Sequence, residues 1–332
     1  MTRHMPARRL TQAAAVTRWD GPPALDPAKF RDPLRTLGGQ PRASVAFDRL
    51  ETLWFNTGTL CNLACTNCYI DSSPTNDDLV YLTAAEVAGF LDELEPRRQT
   101  REIGFTGGEP FMNPELPAML ADALERGYEV LVLTNAMRPM QKRQPELLAL
   151  KRRFGERLTL RISVDHYGPA LHEVERGPHS WRRMLEGLTW LAAEGFKLAV
   201  AGRSFASEPE ADLRRGYARL FAELGLPLDA SNPAELVIFP EMDAAADVPE
   251  ITEACWGLLG VRPGAMMCAS SRMVVKRKGE ARAKVVPCTL LPYDPQFEMG
   301  ESLAEAKGSV HLNHPHCATF CVLGGASCSA GD

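Results

Sequence analysis

Three cysteines near the start of the chain follow the pattern C-x3-C-x2-C: Cys61, Cys65 and Cys68. Spacings this short allow a single loop to wrap three thiolates around one face of an iron–sulfur cluster, whose usual protein ligands are cysteine sulfurs. Three ligands for a four-iron cluster leave one iron free to bind another molecule, much as a catalytic zinc ion keeps an open position. A zinc loop is the alternative, although zinc usually takes four ligands and no histidine or fourth cysteine lies nearby in the sequence.

The remaining cysteines lie in the last quarter of the chain. They are Cys255, Cys268, Cys288, Cys317, Cys321 and Cys328. The total of nine is odd and, in 332 residues, far too small for a disulfide scaffold. Because the cysteines are clustered and the N-terminus does not resemble a signal peptide, we interpret them as metal or cluster ligands in a cytoplasmic protein.

The overall composition is that of a globular protein, with 45% hydrophobic and 24% charged residues. The net charge of −5 argues against a surface that coats nucleic acid or an anionic membrane. No stretch approaches 18 consecutive apolar residues, so no transmembrane helix is expected. The basic run Lys151–Arg153 is most simply the exposed surface of a helix.

Strand-like and helix-like segments alternate from residue 50 to about residue 240. The predicted strands are 53–56, 102–106, 129–134, 158–164, 197–201 and 235–239, and the predicted helices are 83–94, 116–126, 146–154, 180–194 and 211–224. Thr83 and Glu86 form a capping box at the start of the first helix. Repeated strand–helix units predict a parallel sheet covered by helices, with functional groups at the carboxyl ends of the strands.

We therefore predict an α/β fold built as a partial (β/α)6 TIM-like barrel. The barrel is expected to span residues 51–245, after an irregular N-terminal extension at 1–50. Residues 246–332 are expected to form a small cysteine-rich domain that contains a β-hairpin.

Two further motifs follow predicted strands. The first is Thr106-Gly107-Gly108-Glu109-Pro110, and the second runs from Arg161-Ile162-Ser163-Val164-Asp165 to Glu175-Arg176-Gly177. Together with the cysteine loop, Cys61 to Tyr69, they resemble the motifs of the radical S-adenosylmethionine (SAM) enzymes, in family order. The cysteine-rich C-terminus resembles the twitch/SPASM branch, whose members carry an auxiliary iron–sulfur cluster.

The glycines of the first motif remove side chains where the backbone must approach a ligand closely. Glu109 places a carboxylate beside this backbone, which suits an ammonium group. The resemblance implies that Gly107, Gly108 and Glu109 hold the amino group of SAM. It also implies that Ser163 and Arg176 bind the SAM carboxylate, for which the forked donors of arginine are well suited.

Two other residues are similar to cofactor contacts of the family. Asn135 would face the cofactor, or would cap a helix. Tyr69 would lie beside the adenine, or would simply pack in the core. The chain departs from the family where many relatives have Ser-x-Asp-Gly, because His166 follows Asp165 and the glycine is delayed to Gly168. We assign no role to His166 and predict no catalytic acid or base.

A β-hairpin is predicted near the C-terminus, with strands at 273–276 and 282–286 joined by a turn at 278–279. This register places residue 268 opposite 289 and residue 269 opposite 288. Cys268 and Cys288 would then grip an auxiliary 4Fe–4S cluster at the open end of the hairpin, completed by Cys317 with Cys321 or Cys328.

Two alternatives remain for the C-terminal cysteines. One is a zinc site in which His311, His314 and His316 are extra ligands, and the other is a set of buried free thiols. Cys255 is predicted to be a thiol of the core, where free cysteine is common.

The resemblance implies that a reduced cluster cleaves SAM to methionine and a 5′-deoxyadenosyl radical, which abstracts a hydrogen atom from a substrate. A one-electron donor such as flavodoxin or ferredoxin is then required. The substrate would be a small molecule or a peptide, and residues 1–50 are too short for a leader-binding module. A peptide maturase with a separate leader-binding partner is therefore one alternative, and a zinc-stapled binding protein without catalysis is another.

Overall fold

The computed structural model describes residues 23–94, 99–204, 208–243 and 245–325. Its strands are β1 (Ser44–Val45), β2 (Thr52–Asn56), β3 (Glu102–Thr106), β4 (Glu129–Thr134), β5 (Leu158–Asp165), β6 (Lys197–Arg203), β7 (Leu236–Phe239), β8 (Ser271–Val275), β9 (Lys284–Val286) and β10 (Val310–His311). Its α-helices are α1 (Ala84–Leu94), α2 (Leu116–Glu125), α3 (Arg138–Gln141), α4 (Gln144–Phe154), α5 (Pro169–Arg176), α6 (Ser180–Ala193), α7 (Glu210–Leu224) and α8 (Ala254–Leu259).

Eight of these strands form one sheet, in the order β7-β6-β5-β4-β3-β2-β8-β9. From β2 to β7 neighbouring strands are consecutive in the chain and pair in parallel. Helices connect them and cover the sheet, and the apolar residues of the strands are buried in the core, as is usual for parallel strands. The predicted partial α/β barrel is confirmed.

The local signals at the first helix also hold in the structure. The backbone N–H of Thr83 donates to Glu86 Oε2 at 2.9 Å, and the N–H of Glu86 donates to Thr83 Oγ1 at 3.2 Å. This reciprocal pair satisfies two backbone donors that a helix start leaves free. Apolar side chains of α1, such as Val87 and Leu91, then pack into the main core.

Three short helices, α3, α5 and α8, were not among the predicted elements. The second begins at Pro169, where the fixed φ of proline suits a first helical turn, and ends at Gly177 with a positive φ of 88°. A helix of eight residues, from Pro169 to Arg176, has too few turns for its apolar residues to show a clear helical period. The omission matters because α5 carries Arg176.

The C-terminal hairpin exists, but its predicted register is wrong by two residues. Met273 pairs with Val286 and Val275 with Lys284, and Cys268 lies in a 3-10 turn before β8. The loop between the two strands is longer than predicted, because residues 276 and 278 form backbone hydrogen bonds with residues 80 and 78 and not with the other hairpin strand.

The C-terminal part is continuous with the barrel, since β8 pairs in parallel with β2. The described part of the N-terminal extension also joins it, because β1 pairs with β10 and buried Arg42 forms an ion pair with Glu250 at 2.5 Å. The sheet therefore crosses residue 245, and the division into three domains stays a prediction. Within the described ranges, no helix is long and apolar enough to cross a membrane.

Candidate active site

A cavity of about 150 Å³ lies at the carboxyl ends of the parallel strands. All three cysteines of the early loop line it, namely Cys61, Cys65 and Cys68. Six residues predicted to contact SAM line it as well: Tyr69, Gly107, Gly108, Asn135, Ser163 and Arg176. The fold thus brings together loops that follow four different strands, which is how parallel α/β folds build their sites.

The cysteine loop is held in place by its own backbone and by α5. The N–H of Leu63 donates to Cys61 Sγ at 3.4 Å, and the N–H of Ser72 donates to Cys68 Sγ at 3.3 Å. Asn67 Nδ2 donates to Glu175 Oε1 at 2.9 Å, which ties the loop to the helix. Burial raises the pKa of Cys61 to about 12, so a metal bound to this sulfur would displace its proton.

The two glycines are needed for a reason that the sequence does not reveal. Gly107 has a φ of +140°, and a Cβ at Gly108 would lie 2.3 Å from the carbonyl oxygen of Leu60. The N–H of Gly108 also donates to the carbonyl of Gly58 at 2.9 Å. The turn therefore packs directly on the segment that leads into Cys61 and sets the position of the cysteine loop.

Glu109 is the one predicted SAM contact that does not line this cavity. Its Oε1 accepts hydrogen bonds from Phe111 N and Thr134 Oγ1, and its Oε2 accepts one from Asn135 N at 2.9 Å. Burial raises the pKa of Glu109 to about 7, although these hydrogen bonds act in the opposite direction. The residue braces the ends of β3 and β4, and its contact with an ammonium group stays a prediction.

A buried ion-pair network lies at the end of β5. Arg176 donates from Nε and Nη2 to Asp165 at 2.6 and 3.1 Å, and Arg203 Nε lies 3.6 Å from Asp165 Oδ1. Although burial favours protonation, the two guanidinium groups hold the pKa of Asp165 below its ordinary value. Asp165 and Arg203 were not predicted as site residues. Each is a charged residue at the carboxyl end of a parallel strand, and this position could have identified both of them.

Tyr69 and Asn135 are both more constrained than the sequence indicates. The ring of Tyr69 makes edge contacts with Phe239 and Phe320, with Arg203 over it at 4.3 Å from the centroid. Asn135 Nδ2 donates to Asn62 Oδ1 at 2.9 Å. Met137 is the N-cap residue of α3, so Asn135 is not that helix's cap.

A second cavity lies beside the first and is lined by four C-terminal cysteines: Cys268, Cys288, Cys317 and Cys321. Cys317 and Cys321 belong to one π-helical segment, Cys317–Leu323. Leu290 lines both cavities, so the two cavities adjoin at this residue. Cys328, which we predicted as an alternative ligand, lies outside the described residues. Cys255 does not line this cavity, and its sulfur contacts Thr252.

The histidines of the zinc alternative are distributed unevenly around this cavity. His316 lines it, and its ring lies 4.6 Å from that of His314, whereas His311 is not part of the lining. In the part of the chain that the structure describes, no three His, Cys, Asp or Glu side chains are grouped so that they could hold one metal ion.

A buried cation also lies close to the second cavity. Arg272 is 1% exposed and donates to the carbonyls of Cys268, Ser271, Ala306 and Gly308. Its guanidinium lies 4.2 Å from the centroid of the Phe47 ring. The side chain thus joins the turn at Cys268 to the segment 306–308.

The family model described as the Radical SAM superfamily matches residues 55–205. GTP 3',8-cyclase of Rhodococcus opacus is 33% identical over 109 residues, which cover 31% of this chain and 31% of the cyclase. The antilisterial bacteriocin subtilosin biosynthesis protein AlbA of Bacillus subtilis is 29% identical over 151 residues, covering 42% of this chain and 30% of AlbA. The chain therefore spans about a third of the length of these curated relatives.

Solved structures match a larger part of this chain than the curated relatives do. Streptococcus suis SuiB bound to S-adenosylmethionine matches with a TM-score of 0.56 at 12% identity, covering 76% of this chain and 63% of SuiB. Native anSMEcpe with bound AdoMet matches with a TM-score of 0.54 at 13% identity, covering 77% of this chain and 79% of that one. At these identities the likeness concerns the fold.

The segment that carries the cysteine loop, the Gly-Gly turn and the β5 motif is therefore similar to the radical SAM enzymes.

Proposed function

We propose that the protein binds a 4Fe–4S cluster and SAM in the first cavity and uses them to modify or oxidise a substrate by radical chemistry. The observation that carries this proposal is the shared cavity of the three loop cysteines, the Gly-Gly turn, Ser163 and Arg176. When bound there, the reduced cluster supplies the electron that splits SAM into methionine and a 5′-deoxyadenosyl radical, and this radical abstracts a hydrogen atom from the substrate.

The residues of the chain position the reactants in this scheme. Cys61, Cys65 and Cys68 would hold three irons of the cluster, which leaves one iron for the amino and carboxylate groups of SAM. Arg176 would bind the SAM carboxylate together with Ser163, while Asp165 orients its guanidinium. Tyr69 would form the aromatic wall beside the adenine, and Asn135 would contribute a polar group.

The test is anaerobic reconstitution with iron and sulfide, followed by addition of dithionite and SAM. We expect release of 5′-deoxyadenosine, measured by chromatography, and loss of this product in Cys65→Ala. Cys255→Ala is the matched control, since Cys255 lines neither cavity. A Cys65→Ala protein that still releases 5′-deoxyadenosine would overturn the assignment.

We further propose that the second cavity binds an auxiliary 4Fe–4S cluster through Cys268, Cys288, Cys317 and Cys321. Four cysteines around one cavity match the usual ligand set of such a cluster. A cubane presents its irons at separate corners, so its ligands surround it. The zinc alternative would add His316, which lines the same cavity, to these cysteines.

Metal analysis distinguishes these possibilities. Two clusters predict about eight irons per chain with matching sulfide, and Cys317→Ala should lower this number to about four. Cys255→Ala should leave it unchanged. Zinc without sulfide would instead support the zinc-stapled, non-catalytic protein.

The substrate that we propose is a small molecule or a peptide, the latter with a separate leader-binding partner. The relatives' names include both a nucleotide cyclase and a bacteriocin biosynthesis protein. The neighbouring genes are to be searched for a short precursor peptide, and such a peptide is the first substrate to test. Deuterium transfer from the labelled peptide into 5′-deoxyadenosine would identify it, and absence of transfer would point to a small molecule.

A further inference from the structure

A broad groove of about 1010 Å³ lies on the outer side of the cysteine loop. Asn62 and Leu63, which directly follow Cys61, line the groove, and residues of α3 and α6 line it too. The groove is separate from the SAM cavity, because Cys61 faces the cavity while its neighbour Asn62 faces the groove.

The groove is strongly basic. Arg138, Lys142, Arg143 and Arg183 line it, against the single acidic residue Glu186. Arg143 pairs with Glu146 at 3.2 Å. The other three cations are exposed, and none of the ion pairs found among the described residues involves them. Three such charges on one face of a protein whose net charge is −5 create a local field that attracts an acidic partner.

Only a thin layer of protein separates this groove from the SAM cavity. Asn62 on the groove side accepts a hydrogen bond at 2.9 Å from Asn135, which lines the cavity. Asn62 Nδ2 also lies 3.8 Å from the sulfur of Met137, another residue of the groove wall. An electron can cross such a layer, whereas a substrate held in the groove would be kept away from the radical by the loop itself.

We propose that this basic groove docks a small acidic electron-transfer protein of the flavodoxin type. The inference rests on the proposed function, since that function consumes one electron for each SAM that is cleaved. The donor's anionic flavin hydroquinone loses one electron and becomes the neutral semiquinone, and no proton is released. The electron is used when the C5′–S bond of SAM breaks into methionine and the 5′-deoxyadenosyl radical.

The experiment compares two reductants in SAM cleavage without added substrate. One is flavodoxin reduced enzymatically by NADPH, and the other is dithionite, which is small enough to need no docking surface. The groove variant R138E/K142E is matched with R152E/R153E, which makes the same charge change on exposed residues of α4 that do not line the groove.

We expect kcat/KM for flavodoxin to fall about tenfold or more in the groove variant, because reversed charges slow the encounter of the two proteins. The dithionite-driven rate and the iron content should match those of the control. Added salt should slow the wild-type reaction with flavodoxin and have little effect on the groove variant.

A second pair of variants guards against misfolding of the double mutant. Arg183→Glu changes the groove, whereas Arg152→Glu makes the same charge change at an exposed residue of α4 that does not line the groove. Equal rates with flavodoxin in both pairs would overturn the docking surface. So would equal losses with both reductants, since these would place the effect at the active site. A wild-type protein inactive even with dithionite would instead refute the proposed function.

Discussion

Arg176 commits two of its donors, Nε and Nη2, to a single residue, Asp165, inside the candidate active site. The backbone of Asp165 adopts a positive φ of 57°, next to a bulge in β5. This left-handed backbone conformation at the end of the strand directs the carboxylate towards Arg176. The arginine that would bind the SAM carboxylate is thus oriented by a neighbour two positions beyond Ser163.

Replacing Asp165 with asparagine should be costly. Asparagine tolerates the same backbone conformation but leaves the Arg176 and Arg203 guanidinium groups buried without their shared negative partner. Loss of one partner of a buried ion pair costs about 3–5 kcal/mol. We expect urea to unfold Asp165→Asn at a clearly lower concentration than wild type, and we expect its KM for SAM to rise.

The control for this variant is Asp212→Asn, which breaks the exposed pair with Arg215 on α7. Exposed pairs contribute less than about 1 kcal/mol. Equal unfolding midpoints for the two variants would contradict the role of Asp165.

Glu109 should make the stability of the protein dependent on pH. Its pKa is about 7 in the folded protein, above the ordinary value of 4.5. Between these values the folded protein keeps a proton that the unfolded chain releases, so stability falls as the pH rises through this window. The largest slope for one group is about 1.4 kcal/mol per pH unit.

Glu109→Gln has no titrating group at this position, so its free energy of unfolding should lack the pH dependence that Glu109 contributes. Urea unfolding of both metal-free proteins at pH 5, 6 and 7 tests the expectation. The free-energy difference between them should shift steadily in favour of the variant as the pH rises, and a constant difference would contradict it.

Gly108→Ala should displace the cysteine loop. Its Cβ would meet the carbonyl of Leu60, a backbone atom that cannot move without shifting Cys61. We expect a loss of about 1–3 kcal/mol of stability and poor retention of iron at the first cluster. Iron content after reconstitution and urea unfolding are the measurements.

Gly89→Ala is the matched control, since no atom lies within 4 Å of the added Cβ and the residue lies in α1. Helix propensity predicts that this change stabilises the protein by up to about 1 kcal/mol. If the two substitutions affect iron content equally, the packing argument for Gly108 fails.

Arg272 should be important for the stability of the second cavity. Arg272→Met would leave four carbonyls without their donor, and we expect a loss of about 3 kcal/mol together with lower iron content. The stability of Arg272→Lys should lie between those of wild type and Arg272→Met, because lysine keeps the charge but lacks the planar, forked donors of arginine. Arg282→Met, at an exposed pair with Glu301, should change stability by less than about 1 kcal/mol, as thermal unfolding would show.

Much of the fold was predictable because its signals are local. The apolar strands, the Thr83–Glu86 capping box and the glycine-terminated helices each act within a few residues. The hairpin register was not predictable, because residues 276 and 278 pair with residues 80 and 78, nearly two hundred positions earlier in the chain.

The residue types of the first site could be read from local patterns: three cysteines in one loop, a Gly-Gly turn, and a serine and an arginine after a later strand. These residues came together because parallel strands end at the same edge of the sheet. The packing of distant elements, in contrast, places Arg176 and Arg203 beside Asp165, buries Glu109 against β4, and brings Cys321 with Cys317 to the second cavity. Such relationships depend on how distant elements pack and on the burial of charge, which no local pattern encodes.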